Sequence, residues 1–208
     1  MKPTQSSLLA DFGVRPRLPD AELEYYEKFI AADVAWDTYE QLLNTTNWQQ
    51  ETITVYGKSY PTPRLTSWVG DEGASYRYSN MTMHPEPWNP LLLELKQQVE
   101  AIAQHQFNSV LLNWYRDGKD SNGWHSDNEP ELGPEPVIAS LSLGASRDFQ
   151  LKHRTDKSVK YALSLAHGSL LIMRGPTQRH WLHHIPKRAH ADSRINLTFR
   201  TIINPSKF

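Results

Sequence analysis

Arg194-Ile195-Asn196-Leu197-Thr198-Phe199-Arg200 alternates apolar and polar residues without a break. Successive side chains of an extended segment point to opposite faces. Ile195, Leu197 and Phe199 therefore share one face, and Arg194, Asn196, Thr198 and Arg200 share the other. The segment reads as a strand with one apolar face. Its polar face has two readings: it is solvated, or it lines the interior of a rolled sheet. In the second case two arginines are buried with no carboxylate near them in sequence. Burying unpaired charge is costly, so a bound diacid would have to neutralise them. Arginine forks match carboxylates in bidentate geometry, which makes a dicarboxylate a suitable partner.

Upstream of that strand, the runs 109–115, 137–143, 149–153, 161–165 and 169–173 also carry β signal, separated by turn residues. Many short strands preceded by helical segments predict a mainly β, α+β fold. The expected form is an antiparallel barrel or jelly roll with helices packed outside. Asn89-Pro90 is a helix start, with Leu92, Leu95, Val99 and Ile102 as its apolar stripe. Asp33 is expected to cap a helix running to about Asn44, with Trp36, Tyr39, Leu42 and Leu43 on one face. Residues 51–63 suggest a hairpin turning at Gly57-Lys58-Ser59. Residues 23–30 fit helix or strand equally, and 64–88 are aromatic-rich without a clear period. Residues 1–20, with Pro3, Pro16 and Pro19, read as an irregular arm. The expected organisation is that arm followed by one domain over 21–208, with its β core at 109–202.

Composition narrows the chemistry. The 208 residues contain no cysteine, which excludes disulfides, thiolate metal sites and a cysteine nucleophile. A net charge of −1 gives no global field for nucleic acid. The longest apolar runs, 91–93 and 170–173, are far short of the ~20 residues of a membrane span. Residues 1–12 lack the charged-then-apolar layout of a signal peptide. A soluble, intracellular monomer is expected.

His125-Ser126-Asp127 places an imidazole and a carboxylate on one side of an extended segment. Two histidines and one carboxylate with open positions form the non-haem Fe(II) arrangement. With nine histidines in 208 residues, chance supplies about 0.5 such His-X-Asp pairs, so the pair needs support. His183 or His184 can return a third ligand. Asn113 and Tyr115 share a face upstream and can both hydrogen-bond a bound acid.

Five strings together resemble the AlkB family of Fe(II)- and 2-oxoglutarate-dependent nucleic-acid repair dioxygenases, in its eukaryotic-type DNA repair branch. They are Asn-Trp-Tyr-Arg-Asp-Gly-Lys-Asp at 113–120, Gly-Trp-His-Ser-Asp-Asn-Glu at 123–129, Ala-Ser-Leu-Ser-Leu-Gly-Ala at 139–145, Ala-His-Gly-Ser-Leu-Leu-Ile-Met at 166–173, and the strand at 194–200. The resemblance runs from about Tyr56 to Ile202 and implies a double-stranded β-helix. It implies iron held by His125, Asp127 and His183. His183 is chosen over His184 because the family pattern matches His180, His183 and Pro186.

The resemblance also implies that Asn113, Tyr115, Arg194, Thr198 and Arg200 hold 2-oxoglutarate, with Arg194 at the distal carboxylate and Arg200 nearer the metal. O2 is the second cosubstrate, and alkylated DNA or RNA the partner. The implied reaction is oxidative demethylation of N1-methyladenine and N3-methylcytosine. On the substrate side it points to a lid and hairpin at 52–88 with Tyr56 as a wedge, Tyr76 and Tyr78 stacking on the damaged base, and Arg64 on the DNA-facing side. Asn128 and Glu129 are placed at the base edge; close relatives often carry Asp at the position of Asn128. Lys152, His153, Arg154, Lys157 and Lys160 form a local basic run that is either a solvated face or a phosphate clamp. Two other readings stay open: the same chemistry on a protein or small molecule, and an inactive roll acting as a binding module.

Overall fold

The computed structural model describes residues 13–55, 57–74, 76–78, 81–83 and 85–203, with the backbone alone at 53–55, 76–78 and 81–83. The chain runs through β1 (Glu22–Tyr26), α1 (Ala32–Thr45), β2 (Thr52–Val55), β3 (Lys58–Pro61), β4 (Leu65–Gly70), β5 (Tyr76–Tyr78), β6 (Met81–Met83), α2 (Pro90–Ala103), β7 (Ser109–Tyr115) and β8 (Asn122–His125). It continues through β9 (Ile138–Gly144), β10 (Arg147–His153), β11 (Lys160–Leu165), β12 (Ser169–Arg174), α3 (Thr177–His180), β13 (Trp181–Ile185) and β14 (Arg194–Arg200).

Strands β7 to β14 make the double-stranded β-helix. Four of them, in the order β12-β9-β14-β7, form the centre of the larger sheet, which β1 and β4 extend at its two edges. The other four pair in the order β11-β10-β13-β8. Two apolar clusters hold this together. One packs Ala35, Tyr39 and Leu42 of α1 and Leu92, Leu95 and Val99 of α2 onto Val110, Leu141, Ile172, Ile195, Leu197 and Phe199 of the larger sheet. The other lies between the sheets and joins Tyr115, Ile138, Leu171 and Met173 to Phe149, Leu151, Leu165, Trp181 and Ile185. Since the apolar face of β14 meets the helices, its polar face points into the roll. The strand is covered on both sides, and the solvated reading of that face is wrong.

Local signals succeed where they are self-contained. The Asn89 side chain accepts a hydrogen bond from the Leu92 N–H at 2.9 Å and caps α2, with Pro90 at the first helical position. Leu92, Leu95 and Val99 are buried as expected, whereas Ile102 is only partly covered. The 51–63 hairpin is present as β2 paired with β3, from Thr52 opposite Pro61 to Val55 opposite Lys58; Gly57 takes the positive φ of 75° that its turn needs.

Other expectations are corrected. Asp33 does not cap α1: it lies in the first turn, and the cap position belongs to Ala31. The entry point is set from outside the helix, by the Ile30 N–H donating to the Gly168 carbonyl at 2.9 Å. Trp36 is 49 % exposed and stacks on His167 at 4.3 Å instead of entering the core. Of residues 23–30, the first four belong to β1, which gains its identity by pairing with β12, and 27–30 turn the chain toward α1. Residues 64–88 contain β4, β5 and β6. Strand β4 lacks a clean alternation because it pairs with β7 and is largely covered.

The β7–β8 loop packs tightly against the segment after β13. A Cβ on Gly118 would lie 2.4 Å from the Arg188 carbonyl oxygen, backbone against backbone, whereas one on Gly123 would meet nothing within 4 Å. Gly118→Ala is therefore expected to lower the midpoint of thermal unfolding by several degrees, at a cost of about 1–3 kcal/mol. Gly123→Ala should stay within about 0.5 kcal/mol of the parent. Equal midpoints for the two variants in a calorimetric scan would contradict this packing.

Candidate active site

Strands β8 and β13 pair with His125 directly opposite His183. Their rings meet edge to face at a centroid separation of 4.3 Å. Asp127 follows β8, with its Oδ2 3.9 Å from His183 Nε2. One ligand atom from each of His125, Asp127 and His183 lies within 4.8 Å of the other two. The His125 Nδ1–H donates to the Gly123 carbonyl at 2.8 Å, so its Nε2 keeps a lone pair. Burial, reinforced by neighbouring His125, pushes His183 down to about 3. Its imidazole is thus neutral, the form that ligates a cation.

Asp127 is held from two sides. Its N–H donates to Gln178 Oε1 at 3.0 Å, and Arg200 donates to its Oδ1 at 2.7 Å. Burial works most strongly, to raise the Asp127 carboxyl, but Arg200, His183, His125 and the Arg200 hydrogen bond together outweigh it and the group lies below the usual carboxylate range. This corrects half of the sequence argument about orphan arginines, because Arg200 finds its carboxylate within the chain.

Arg194 does not. It is 1 % exposed, its guanidinium lies 5.2 Å from the Tyr115 ring centre, and one terminal nitrogen donates to Ser142 Oγ at 2.9 Å. Its Nε has no partner, and no ion pair to it forms among the described residues. Burial pulls it down to about 10, still charged at neutral pH. A buried cation with a free donor fits one end of a dicarboxylate, and the two imidazoles with a carboxylate fit a divalent iron at the other.

Between these ends runs a polar strip along β7, β14 and β9. Thr198 Oγ1 donates to Asn196 Oδ1 at 2.9 Å, and Asn196 Nδ2 donates to Ser140 Oγ at 2.8 Å. Asn113 Oδ1 accepts from Arg64 Nε at 2.8 Å. Arg64 therefore turns inward to the strip. Tyr115 is buried at the Arg194 end.

The remaining expected residues sit as follows. Asn128 is exposed and its Oδ1 accepts from Ser126 Oγ at 2.9 Å. Glu129 is half-buried and its Oε2 is enclosed without a partner. Tyr76 and Tyr78 lie on β5, paired with β6, and only their backbone is described. Tyr56 lies outside the described residues. His184 points away from the triad and stacks on Trp124 at 3.7 Å. Within the basic run, Lys152 sits 4.1 Å over the Trp124 ring, whereas His153 is buried and does not belong to a solvated face.

Two supporting residues escaped the sequence reading. Gln178 fixes the Asp127 backbone. Arg147, fully buried, donates to the carbonyls of Asp120 at 2.8 Å and Pro186 at 2.6 Å and packs 5.6 Å from the Tyr115 ring. It ties the loop before β8 to the end of β13. Both act through backbone atoms, which leave no pattern in sequence.

A family model described as the 2OG-Fe(II) oxygenase superfamily matches residues 22–200. A Mus musculus protein named DNA oxidative demethylase ALKBH2 is 41% identical over 163 residues, which cover 74% of this chain and 68% of the relative. The chain belongs to the AlkB family of 2OG-Fe(II) oxygenases. Alpha-ketoglutarate-dependent dioxygenase alkB homolog 3 is 45% identical in Bos taurus, over 84% of this chain and 64% of the relative. The Homo sapiens protein of that name is 43% identical, over 85% and 65%. The match thus spans just under two thirds of those relatives' length. A solved structure titled OsALKBH1 superposes with a TM-score of 0.63 over 90% of this chain and 100% of that one, at 17% identity, and so shares the fold. Fe(II), 2-oxoglutarate and O2 are the working groups of this family.

An isosteric apolar side chain should relieve the buried charge of Arg194 while removing the diacid's anchor. Arg194→Met is expected to unfold at the parent temperature or above without ligand, and to lose the upward shift that 2-oxoglutarate gives the parent. A 2-oxoglutarate-dependent shift of parental size in R194M, read by differential scanning fluorimetry, would remove Arg194 from the pocket.

Proposed function

We propose that the chain catalyses Fe(II)- and 2-oxoglutarate-dependent oxidative demethylation of alkylated bases, N1-methyladenine and N3-methylcytosine, in DNA or RNA. The observation that carries this reading is the pairing of a His-Asp-His cluster with a buried arginine that meets no carboxylate among the described residues, at the two ends of one polar strip. The names of its relatives support the same chemistry: one is a DNA oxidative demethylase, the other an alpha-ketoglutarate-dependent dioxygenase.

In this reading His125, Asp127 and His183 would hold the iron. Fe(II), with 2-oxoglutarate and O2, supplies the oxidation that turns an N-methyl group into a labile N-hydroxymethyl, lost as formaldehyde, with succinate and carbon dioxide as coproducts. The protein's share is placement. Arg194, against the Tyr115 ring, takes the far carboxylate of the diacid. Asn113 and Thr198 line its path, and Arg200 holds Oδ1 of Asp127 so that Oδ2 faces His183. The interior is covered by the larger sheet and its helices, which limits water.

The base must leave its stack to reach this depth. Tyr56, Tyr76 and Tyr78 are assigned to the base-stacking lid, and Asn128 and Glu129 to the base edge. The enclosed, unpartnered Glu129 Oε2 suits the exocyclic amino group that adenine and cytosine share. Arg64, bonded to Asn113, links the lid side to the diacid side. Among the described residues no helix is long and apolar enough to cross a membrane, and a nucleic-acid substrate favours an intracellular setting.

Formaldehyde and succinate release from oligonucleotides carrying either lesion tests the proposal. The parent should release both in equal amounts. Asp127→Ala should lose at least about a thousandfold in rate with an unchanged circular dichroism spectrum, as expected for loss of a metal site. His184→Ala, on the outward neighbour, should keep most of the rate. Turnover persisting in D127A, or confined to substrates other than nucleic acid, would overturn it.

A further inference from the structure

A second cluster of ligating side chains lies apart from the triad. Asp20, just before β1, meets His153 at the end of β10 and His180 at the end of α3, with one ligand atom of each within 4.8 Å of the others. His153 Nε2 is 3.3 Å from Asp20 Oδ2, and His180 Nδ1 is 4.0 Å from the same oxygen. His153 is 6 % exposed, and its ring is fixed by Trp181 at 5.3 Å and by His180 stacked at 5.9 Å. The Asp20 side chain is 53% exposed, so the cluster is open on one side. The segment carrying it is anchored, because Trp181 Nε1 donates to the Pro19 carbonyl at 2.9 Å.

The ordinary role for such a group is an imidazole donating to a carboxylate. Here that bond is not made. In spite of the 3.3 Å approach, His153 Nε2 is enclosed without a hydrogen-bond partner, so the nitrogen is aimed beside the carboxylate oxygen and not at it. A nitrogen and an oxygen that share a tetrahedral zinc at 2.0–2.2 Å stand about 3.3 Å apart. We propose that Asp20, His153 and His180 form a second, structural metal site that takes Zn2+, with water as fourth ligand.

Binding needs local adjustments at both histidines. The Asp156 N–H donates to His153 Nδ1 at 3.1 Å, so the metal-free ring carries its proton on Nε2. Ligation moves that proton to Nδ1, where Thr155 Oγ1 at 3.2 Å accepts it, and the Asp156 N–H, on an exposed turn, passes to water. Arg179 Nε, 3.2 Å from His180 Nε2, likewise withdraws to solvent. The half-exposed His180 swings in to close the 4.0 Å gap. The cation then clamps the segment before β1 to β10 and to the start of β13, the strand that carries His183.

Equilibrium dialysis of chelator-stripped protein against Zn2+ tests this, because zinc can also occupy the triad. The parent should bind two ions per chain. Asp20→Asn and His180→Ala, both at accessible positions, should each bind one, and Asp127→Ala should bind one that raises its unfolding temperature. That rise should be absent from a D20N/D127A double variant. Two ions retained in D20N and H180A, or no ion in D127A, would overturn the second site. One ion in the parent that D20N keeps and D127A loses would overturn it too, leaving the triad assignment intact. One ion that D127A keeps and D20N loses would uphold the second site and count against the triad instead.

Discussion

A guanidinium enclosed where the described residues offer it no carboxylate is the constraint around which this interior is arranged. Strand β14 lies between β9 and β7, and both of its faces are covered, with Arg194 to Phe199 all buried. Helices α1 and α2 take the apolar face, and the polar face is forced inward. Most of that face is satisfied locally: Thr198 by Asn196, Asn196 by Ser140, and Arg200 by Asp127. Arg194 alone is left with a hydroxyl and an aromatic ring. A bound diacid would offset the cost of that arrangement.

Much of the fold was legible because some elements carry their own instructions. The strict alternation at 194–200 names a strand, and Asn89-Pro90 names a helix start. Where tertiary contacts decide, the sequence is mute. Strand β8, Asn122-Gly123-Trp124-His125, opens on two weak β formers, Asn122 and Gly123, and is paired by β13. Strand β4 is covered on both sides and loses the alternation that would betray it. The start of α1 follows a backbone bond from Ile30 to Gly168, so Asp33, a good cap by type, falls two residues past the cap position.

The site shows the same division. His125 and Asp127 stand two residues apart, and their shared side follows from the geometry of an extended chain. His183 is distant in sequence and was found only through the order of several motifs; by spacing alone His184 was an equal candidate, and the pleat of β13 separates them. Arg64, expected on the DNA-facing side, also reaches Asn113, a contact that no local pattern announces. Gln178 and Arg147 could not have been found, since their partners are peptide groups that every residue possesses. The buried His153 was hidden inside a run of lysines and arginines that looked uniformly solvated.

The lone charge of Arg194 reaches beyond chemistry into supply. A small acid that completes the fold stabilises it by mass action, by about 1.4 kcal/mol for each tenfold excess over its dissociation constant. Proteases attack the opened chain, so its survival in a cell would follow the abundance of that metabolite. Scarcity would then deplete the polypeptide itself, and catalytic capacity would be rationed through molecular lifespan.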